Sequence, residues 1–126
     1  MTEPKDKLRE IKFRAWDKEN EEMLFGGDFS LYAKQEGTIE GAYFDEDGGQ
    51  EVLLMQYTGR KDNDGKEIYH KDRVSAYGYS NWIVEWHNNG WKLKQEDGTN
   101  YQEIPEAVIV FGNIHENPEL LKEVPQ

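Results

Sequence analysis

Hydrophobic and polar residues alternate over short stretches of this chain, which is the pattern of β-strands that bury one face. Over residues 9–16, the side chains of Ile11, Phe13 and Ala15 fall on one face. After a polar segment, the apolar residues 23–25 return as a second strand. We expect these two strands to form a hairpin.

Two more alternating stretches follow at residues 29–33 and 39–44. Gly41 interrupts the second of them, which indicates a bulge or a close approach of the backbone to a neighbour. Residues 52–57 are the most apolar run of the chain. This run is predicted to be a buried central strand.

Two further hairpins are predicted from their turn residues. Asp64-Gly65 lies at the charged tip of residues 56–74, and aspartate-glycine between two strand-like segments is a strong hairpin signal. Glycine adopts the positive φ that such a turn needs. Asn88-Asn89-Gly90 separates the alternating residues 82–87 from residues 91–95 and predicts the second of these hairpins.

The C-terminal part combines helical and strand signals. Ile104-Pro105-Glu106 suits a short helical turn, since proline fixes a φ that is compatible with a helix. Residues 108–111 are predicted to be the closing strand. A short helix is predicted over residues 118–123, with Asn117 as its N-cap.

The order of these elements predicts a mainly β fold. An N-terminal β-hairpin lobe is expected over residues 9–57 and a C-terminal SH3-like small barrel over residues 58–117, followed by a short C-terminal helix and tail at 118–126. A chain of 126 residues has the length of one domain, so we expect residues 9–126 to fold as a single compact unit. Residues 1–8 are predicted to be a disordered leader.

Composition narrows the class of protein. Aromatic residues make up 13% of the chain, which provides large side chains for a core despite a charged fraction of 33%. There is no cysteine, so disulfides and thiolate metal sites are excluded. The N-terminus lacks the apolar core of a signal peptide, and the apolar runs are too short to span a bilayer. We expect a cytoplasmic protein that does not contact a membrane.

The net charge of −11 is unevenly distributed. Residues 25–57 contain seven acidic residues and one basic residue, whereas residues 58–75 contain four acidic and five basic ones. Overall acidity opposes binding to the phosphate backbone, so nucleic acid is not the expected partner. Solubility is the simplest explanation of the acidity.

The sequence contains no recognisable catalytic or metal site. Asp62 and Asp64 partly match a calcium loop, as do Asp45 and Asp47, but the first and last ligand positions of both loops lack carboxylates. The three histidines are too far apart for a metal-binding motif. No phosphate-binding loop or nucleophile motif is present. We predict no metal, no cofactor and no enzymatic activity.

Six residues are candidates for an interaction surface, namely Lys12, Arg14, Trp16, Arg60, Lys61 and Lys66. Trp16 shares a strand face with two of these cations, and an outward tryptophan beside cations is typical of a binding surface or an oligomer contact. The other three candidates lie near the tip of the hairpin over residues 56–74. The remaining tryptophans are assigned to core or interface packing.

Four sequence blocks occur in order along the chain: Arg14-Ala15-Trp16-Asp17, Gln56-Tyr57-Thr58-Gly59, Asp64-Gly65-Lys66-Glu67-Ile68-Tyr69 and Gly112-Asn113-Ile114-His115-Glu116-Asn117-Pro118-Glu119-Leu120. Together they resemble the YopX family from about residue 10 onward. The resemblance implies a small, mostly β protein that is encoded by bacteriophages and prophages, and it implies no activity.

The chain departs from the family pattern at three positions. Lys71 stands where the family typically has glycine, Arg73 where it has an aliphatic residue, and His115 where tyrosine is common. A role that needs a positive φ at position 71 is therefore not expected from the resemblance.

The leading hypothesis is a non-catalytic binding or assembly module of a phage or prophage. Its expected partners are a second copy of the chain, since unpaired strand edges are templates for pairing, or a phage or host protein. Two alternatives remain. The cations of residues 58–75 could bind nucleic acid, or the acidic surface could mimic phosphates and inhibit a host DNA-binding protein.

Overall fold

The computed structural model describes residues 10–45, 48–98 and 100–116, which form two antiparallel β-sheets. The six-stranded first sheet contains β1 (Phe13–Asp17), β2 (Glu22–Leu24), β3 (Ser30–Ala33), β4 (Ile39–Asp45), β5 (Gly48–Lys61) and β6 (Glu67–Tyr69). The five-stranded second sheet contains β7 (Asp72–Ala76), β8 (Tyr79–His87), β9 (Gly90–Gln95), β10 (Tyr101–Glu103) and β11 (Ile109–Asn113). No helix occurs within these described ranges, and the predicted mainly β fold is confirmed.

Strand β5 is the centre of the first sheet, whose order is β2-β1-β5-β4-β3. Leu54 of β5 pairs with Ala15 of β1, and Val52 of β5 pairs with Gly41 of β4. The far end of β5 pairs with β6. The central position predicted for this strand is therefore confirmed, but the strand is not buried throughout, since Leu53 is 41% exposed. It is longer than predicted and runs across the expected lobe boundary at residue 57, because residues 57–61 pair with β6 beyond the residues that pair with β1.

The close approach predicted at Gly41 is also confirmed. A Cβ atom at this position would lie 2.6 Å from Leu54 Cδ2 and 3.1 Å from Val52 Cγ2. Leu54 leans over the glycine of the neighbouring strand, so a side chain at position 41 would have to displace the end of Leu54.

The three predicted hairpins form as expected. In the first, Trp16 of β1 pairs with Met23 of β2. In the second, between β5 and β6, Gly65 has a φ of 85°. In the third, His87 pairs with Gly90, so the two-residue turn consists of Asn88 and Asn89, with φ of 51° and 62°. The asparagines, rather than Gly90, take the positive φ of this turn.

The second sheet has the order β10-β9-β8-β7-β11 and is open. Strand β10 pairs with β9, and β11 pairs with β7, so these two strands form opposite edges. Closure into the predicted barrel is not observed among the described residues, because no ladder joins the two edges. The predicted helical turn at 104–106 is wrong. These residues form an irregular connection between the two edge strands.

The larger core cluster combines Ile68 of β6 with buried apolar side chains of the second sheet and its connections, namely Val74, Ala76, Trp82, Val84, Leu93, Ile104, Val108 and Val110. The indole Nε1 of Trp82 donates a hydrogen bond to Ala76 O at 2.8 Å, which satisfies the polar atom of this ring. The first sheet has a smaller cluster of Ala15, Leu24 and Val52. It consequently leaves more of its apolar side chains accessible.

Two predicted segments, the leader at 1–8 and the helix at 118–123, lie outside the described residues. Within the described part of the chain, no helix is long and apolar enough to cross a membrane.

Candidate binding groove between the two sheets

The cations predicted for an exposed surface on β1 lie instead at the seam between the sheets. Arg14 Nη2 donates a hydrogen bond to Asp72 Oδ1 at 2.6 Å, and the Arg14 guanidinium lies 4.5 Å from the centroid of the Tyr69 ring. Arg14 and Asp72 are both buried. The prediction that Arg14 is exposed is therefore wrong, because Asp72 and the Tyr69 ring cover the face of β1 that alternation alone left open.

Trp16 is likewise buried rather than outward, with 8% of its surface exposed. Its ring stacks on His115, with centroids 5.9 Å apart and planes at 16°. Asn113 Oδ1 accepts the backbone N–H groups of His115 and Glu116, which holds the imidazole against the indole. Burial lowers the pKa of His115, and the cations Arg14 and Lys71 act in the same direction.

Lys12 is the outermost member of this seam. Its ammonium donates a hydrogen bond to Glu67 and lies 4.9 Å from the centroid of the Tyr57 ring. The Glu67 carboxylate raises the pKa of Lys12, and Lys12 in turn lowers the pKa of Glu67. Burial and the hydrogen bond from its own hydroxyl to Glu67 raise the pKa of Tyr69 to about 12. The Lys12 ammonium is thus paired within the chain, with Glu67 and the Tyr57 ring.

The other three candidates do not join the seam. Arg60 Nη1 donates to Ile104 O at 2.6 Å, which ties the end of β5 to the connection before β11. Lys61 and Lys66 are exposed near the hairpin tip. The structure therefore does not bring the six predicted residues together on one surface.

Asp62, set aside as a calcium ligand, has a structural role. Its Oδ1 accepts the backbone N–H groups of Asp64 and Lys66 at 2.8 Å, and its Oδ2 accepts that of Val110 at 2.9 Å. Burial raises the pKa of Asp62, but these three hydrogen bonds outweigh that effect, and the net change is a lowered pKa. One carboxylate thus shapes the hairpin turn and attaches it to β11.

An open groove of about 810 Å³ lies where the two sheets meet. Its apolar lining comes from both sheets and consists of Ile11, Phe13, Ile39, Leu54, Trp86 and Trp91, with Tyr57 beside them. The polar residues Glu10, Gln56 and His70 complete the lining. The register puts Phe13, Leu54 and Ile39 on the same face of the first sheet, so this face forms one side of the groove.

The β8–β9 hairpin forms the other side of the groove. Trp86 and Trp91 are cross-strand partners, and their rings meet edge to face with centroids 5.1 Å apart and planes at 78°. Trp91 also contacts His70, whose ring centroid lies 5.3 Å away. Trp91 is thereby held in place, whereas Trp86 remains 54% exposed.

A small polar network supports this side. His70 Nε2 and Glu85 Oε1 lie 3.0 Å apart, and Lys71 Nζ donates to Glu85 Oε2 at 2.6 Å. Burial raises the pKa of Glu85, but the bonds from His70 and Lys71 outweigh it and lower the pKa to about 2. Lys71 itself has a φ of 75°, so a lysine takes the left-handed conformation at this position.

Sequence reasoning missed the groove because it assigned Trp86, together with Trp82, to core or interface packing and did not separate the two. Both residues fall on one face of β8 together with Val84. Trp82 and Val84 are 2% and 0% exposed, whereas Trp86 lies at the end of the strand, next to the Asn88-Asn89 turn, where the core no longer covers it. The position of Trp86 beside this turn was the sequence signal that could have indicated its exposure.

These features define the chain as an all-antiparallel, two-sheet β protein with an accessible aromatic groove and, among the described residues, no cluster of acidic and histidine side chains that could hold a metal. The chain belongs to the YopX family, since the family model described as "YopX protein" matches residues 12–122.

The solved structures similar to the chain include those of two bacterial proteins. Protein EF1440 from Enterococcus faecalis is 26% identical, with a TM-score of 0.57 over 89% of this chain and 98% of that one. Protein yopX from Bacillus subtilis is 21% identical, with a TM-score of 0.57 over 90% of this chain and 99% of that one. The second similarity shows the fold alone. No curated protein matches the chain.

Proposed function

We propose that the protein is a non-catalytic binding module that holds a segment of another polypeptide in the groove between its sheets. The observation that carries this proposal is the exposure of large apolar side chains around one concavity. Ile11, Ile39 and Trp86 are 70%, 48% and 54% exposed, and all three line the groove. Apolar groups gathered in a concave surface are typical of binding sites.

The polar groups of the groove support a non-catalytic role without a cofactor. Glu10, Gln56 and His70 are its polar side chains apart from the Tyr57 hydroxyl, and His70 is engaged by Glu85. No serine, threonine or lysine is among the described residues that line it. The described lining therefore offers neither a serine or threonine hydroxyl nor a lysine amine as a nucleophile.

The cations of residues 58–75 give less support to nucleic acid as the partner. Arg60 donates to Ile104 O, Lys71 pairs with Glu85, and Arg73 is 1% exposed, with its Nε 3.9 Å from Glu96. Lys61 and Lys66 are left to meet phosphate, against a net charge of −11.

The family context and the two bacterial relatives support a phage- or prophage-encoded accessory protein in the cytoplasm of a bacterial host, and we include this setting in the proposal.

Self-association of the chain is also part of the proposal. Strand β3 is an exposed edge that could pair with a second copy, although the repulsion between two chains of charge −11 opposes such pairing. Light scattering at low and moderate salt tests this directly.

The binding role is tested with a library of random peptides displayed against the immobilised protein. We expect enriched peptides to be rich in aliphatic and aromatic residues and to lose binding to Trp86→Ala and Ile39→Ser. The matched control is Tyr79→Ala, because Tyr79 is an exposed aromatic on the same strand that does not line the groove. Peptides that bind all four proteins equally, or the absence of enrichment, would refute the proposal.

A further inference from the structure

The charges around the groove indicate the chemistry of its occupant. Glu10 is the carboxylate among the described lining residues, and no lysine or arginine is among them. The Glu10 side chain is 65% exposed, although it also lies 3.6 Å from the ammonium of Lys12. Lys12 is also paired with Glu67, so this one cation faces two carboxylates and the rim keeps a net negative charge.

The strands beside the groove are also acidic. Ile39 begins β4 and Leu54 lies in β5, within the stretch 25–57 that holds seven acidic residues and one basic residue. Among these acids, Glu36 is exposed three residues before Ile39, whereas Glu51 is exposed on the opposite face of the sheet and adds to the field only at longer range. An electrostatic potential of one sign over part of a protein surface raises the local concentration of ligands of the opposite charge.

Trp86 supplies a specific contact for such a ligand. Trp91 contacts one part of the Trp86 indole, but more than half of the surface of Trp86 is open to solvent. The face of an indole is the strongest side-chain partner for a cation in a cation–π contact. Trp86 and Glu10 both line this groove, so one basic segment can reach both.

We propose that the occupant of the groove is a basic polypeptide segment. Its aliphatic or aromatic side chains lie on Ile39, Leu54 and Phe13, and a lysine or arginine lies on Trp86 near Glu10. This inference rests on the proposed function and adds the charge of the partner to it. A second copy of the chain is a poor occupant, because it brings the same net charge of −11.

The test uses three capped peptides of about ten residues, roughly 33 Å when extended. They share leucine and phenylalanine at alternate positions and carry lysine, glutamine or glutamate at the positions between. Binding to the full chain is measured by fluorescence anisotropy at about 0.15 M salt, where the Debye length is about 8 Å. We expect the lysine peptide to bind about 10-fold more tightly than the glutamine peptide, and the glutamate peptide to bind most weakly.

Variants separate a contact in the groove from general attraction to an acidic protein. Trp86→Ala is expected to weaken the lysine peptide by about 10-fold and the glutamine peptide by less, and Glu10→Gln to weaken only the lysine peptide, by about 3-fold. Tyr79→Ala, outside the groove, leaves both affinities unchanged. Unfolding curves confirm that each variant is folded.

The outcomes of these measurements distinguish the preference for a basic occupant from the polypeptide-binding role on which it rests. Equal binding of the lysine and glutamine peptides, both lost in Trp86→Ala, would overturn the basic occupant and leave the polypeptide-binding role standing. A preference for lysine that survives Trp86→Ala would show adventitious charge attraction only and would also overturn it. Absence of binding by all three peptides would count against both.

Discussion

Arg14 of β1 and Asp72 of β7 form a buried ion pair that joins the two sheets, with Nη2 and Oδ1 2.6 Å apart and side chains only 9% and 1% exposed. Asp72 Oδ2 also accepts the backbone N–H of Tyr69 at 2.7 Å. Burial raises the pKa of Asp72, while Arg14 and the Tyr69 amide oppose that change. The pair therefore determines how the sheets meet more than it adds net stability.

Replacing one member of this pair should be costly. We expect Asp72→Asn to lower the free energy of unfolding by about 3 kcal/mol, because it leaves the guanidinium buried without a counter-charge. Asp64→Asn, at an exposed position of the nearby hairpin turn, should change it by less than about 0.5 kcal/mol. Urea unfolding measures the stability of both variants.

The double variant Arg14→Met with Asp72→Leu should recover part of the stability that Asp72→Asn loses, since only the Tyr69 N–H then lacks its acceptor. A cost below about 1 kcal/mol for Asp72→Asn would contradict this view of the seam.

The Asp62 carboxylate should be a second determinant of stability. Asp62→Ala removes the acceptor of three backbone N–H groups, and we expect a loss of about 2 kcal/mol in chemical unfolding. The control is Asn63→Ala, which changes an exposed side chain of the same turn. The pKa of Asp62 is lowered in the folded state, so its contribution is present above the ordinary value of 3.8 and is lost as the pH falls below it. A variant as stable as the wild type at pH 7 would argue against the role of this carboxylate.

His115 should make stability depend on pH near neutrality. Its pKa in the folded state is below the ordinary value of 6.5, so the unfolded chain binds more protons as the pH falls through and below that value. The free energy of unfolding should therefore decrease from pH 7.5 to pH 5.5. The groups nearby are the cations Arg14, Lys71 and Lys18, together with His70.

His115→Tyr provides the control for this pH dependence, since it retains a ring against Trp16 and does not titrate in this range. The variant should show a smaller decrease than the wild type when thermal unfolding is followed at both pH values. Equal slopes for the two proteins would mean that the dependence comes from other groups.

The strained backbone at Lys71 can be separated from its ion pair. The backbone N–H of Lys71 is held by Val84 O at 2.9 Å, so its φ of 75° is enforced by the fold. Lys71→Ala and Lys71→Gly both remove the contact with Glu85, but only glycine relieves the left-handed conformation. We expect the glycine variant to be more stable than the alanine variant by about 1 kcal/mol in urea unfolding. Alanine at least as stable as glycine would contradict this expectation.

The contact between Gly41 and Leu54 should make position 41 intolerant of a side chain. Gly41→Ala places a Cβ atom 2.6 Å from Leu54 Cδ2, and we expect a loss of about 1–3 kcal/mol as Leu54 is displaced. Gly26→Ala is the matched control, because no atom lies within 4 Å of its added Cβ. Thermal unfolding distinguishes the two variants. Similar melting temperatures would show that Leu54 moves without cost.

Local signals account for the parts of the fold that the sequence predicted correctly. Asp64-Gly65 and Asn88-Asn89 determine their turns through the φ values that these residues adopt. The apolar run before residue 58 indicated the central strand, and Gly41 indicated a close approach of neighbouring strands. Each of these predictions depends on a few adjacent residues and their backbone preferences.

The exposure of Arg14 and Trp16 was predicted incorrectly because alternation assigns side chains to two faces without showing which face another element covers. On β1 both faces are covered: Ala15 belongs to the small cluster of the first sheet, while Arg14 meets Asp72 and Trp16 meets His115. The same limit applies to Trp86, which shares a face with buried residues but extends beyond the core.

The sequence by itself determined the strands, the turns and the acidic character of this protein, because these follow from backbone propensities and composition. Only the tertiary structure decided which cations are buried and which tryptophan is accessible. Arg14 and Asp72 are 58 residues apart, and the groove combines Ile39 of one sheet with Trp86 of the other. Burial is a property of packing between distant segments, and the period of a strand carries no information about what packs against it.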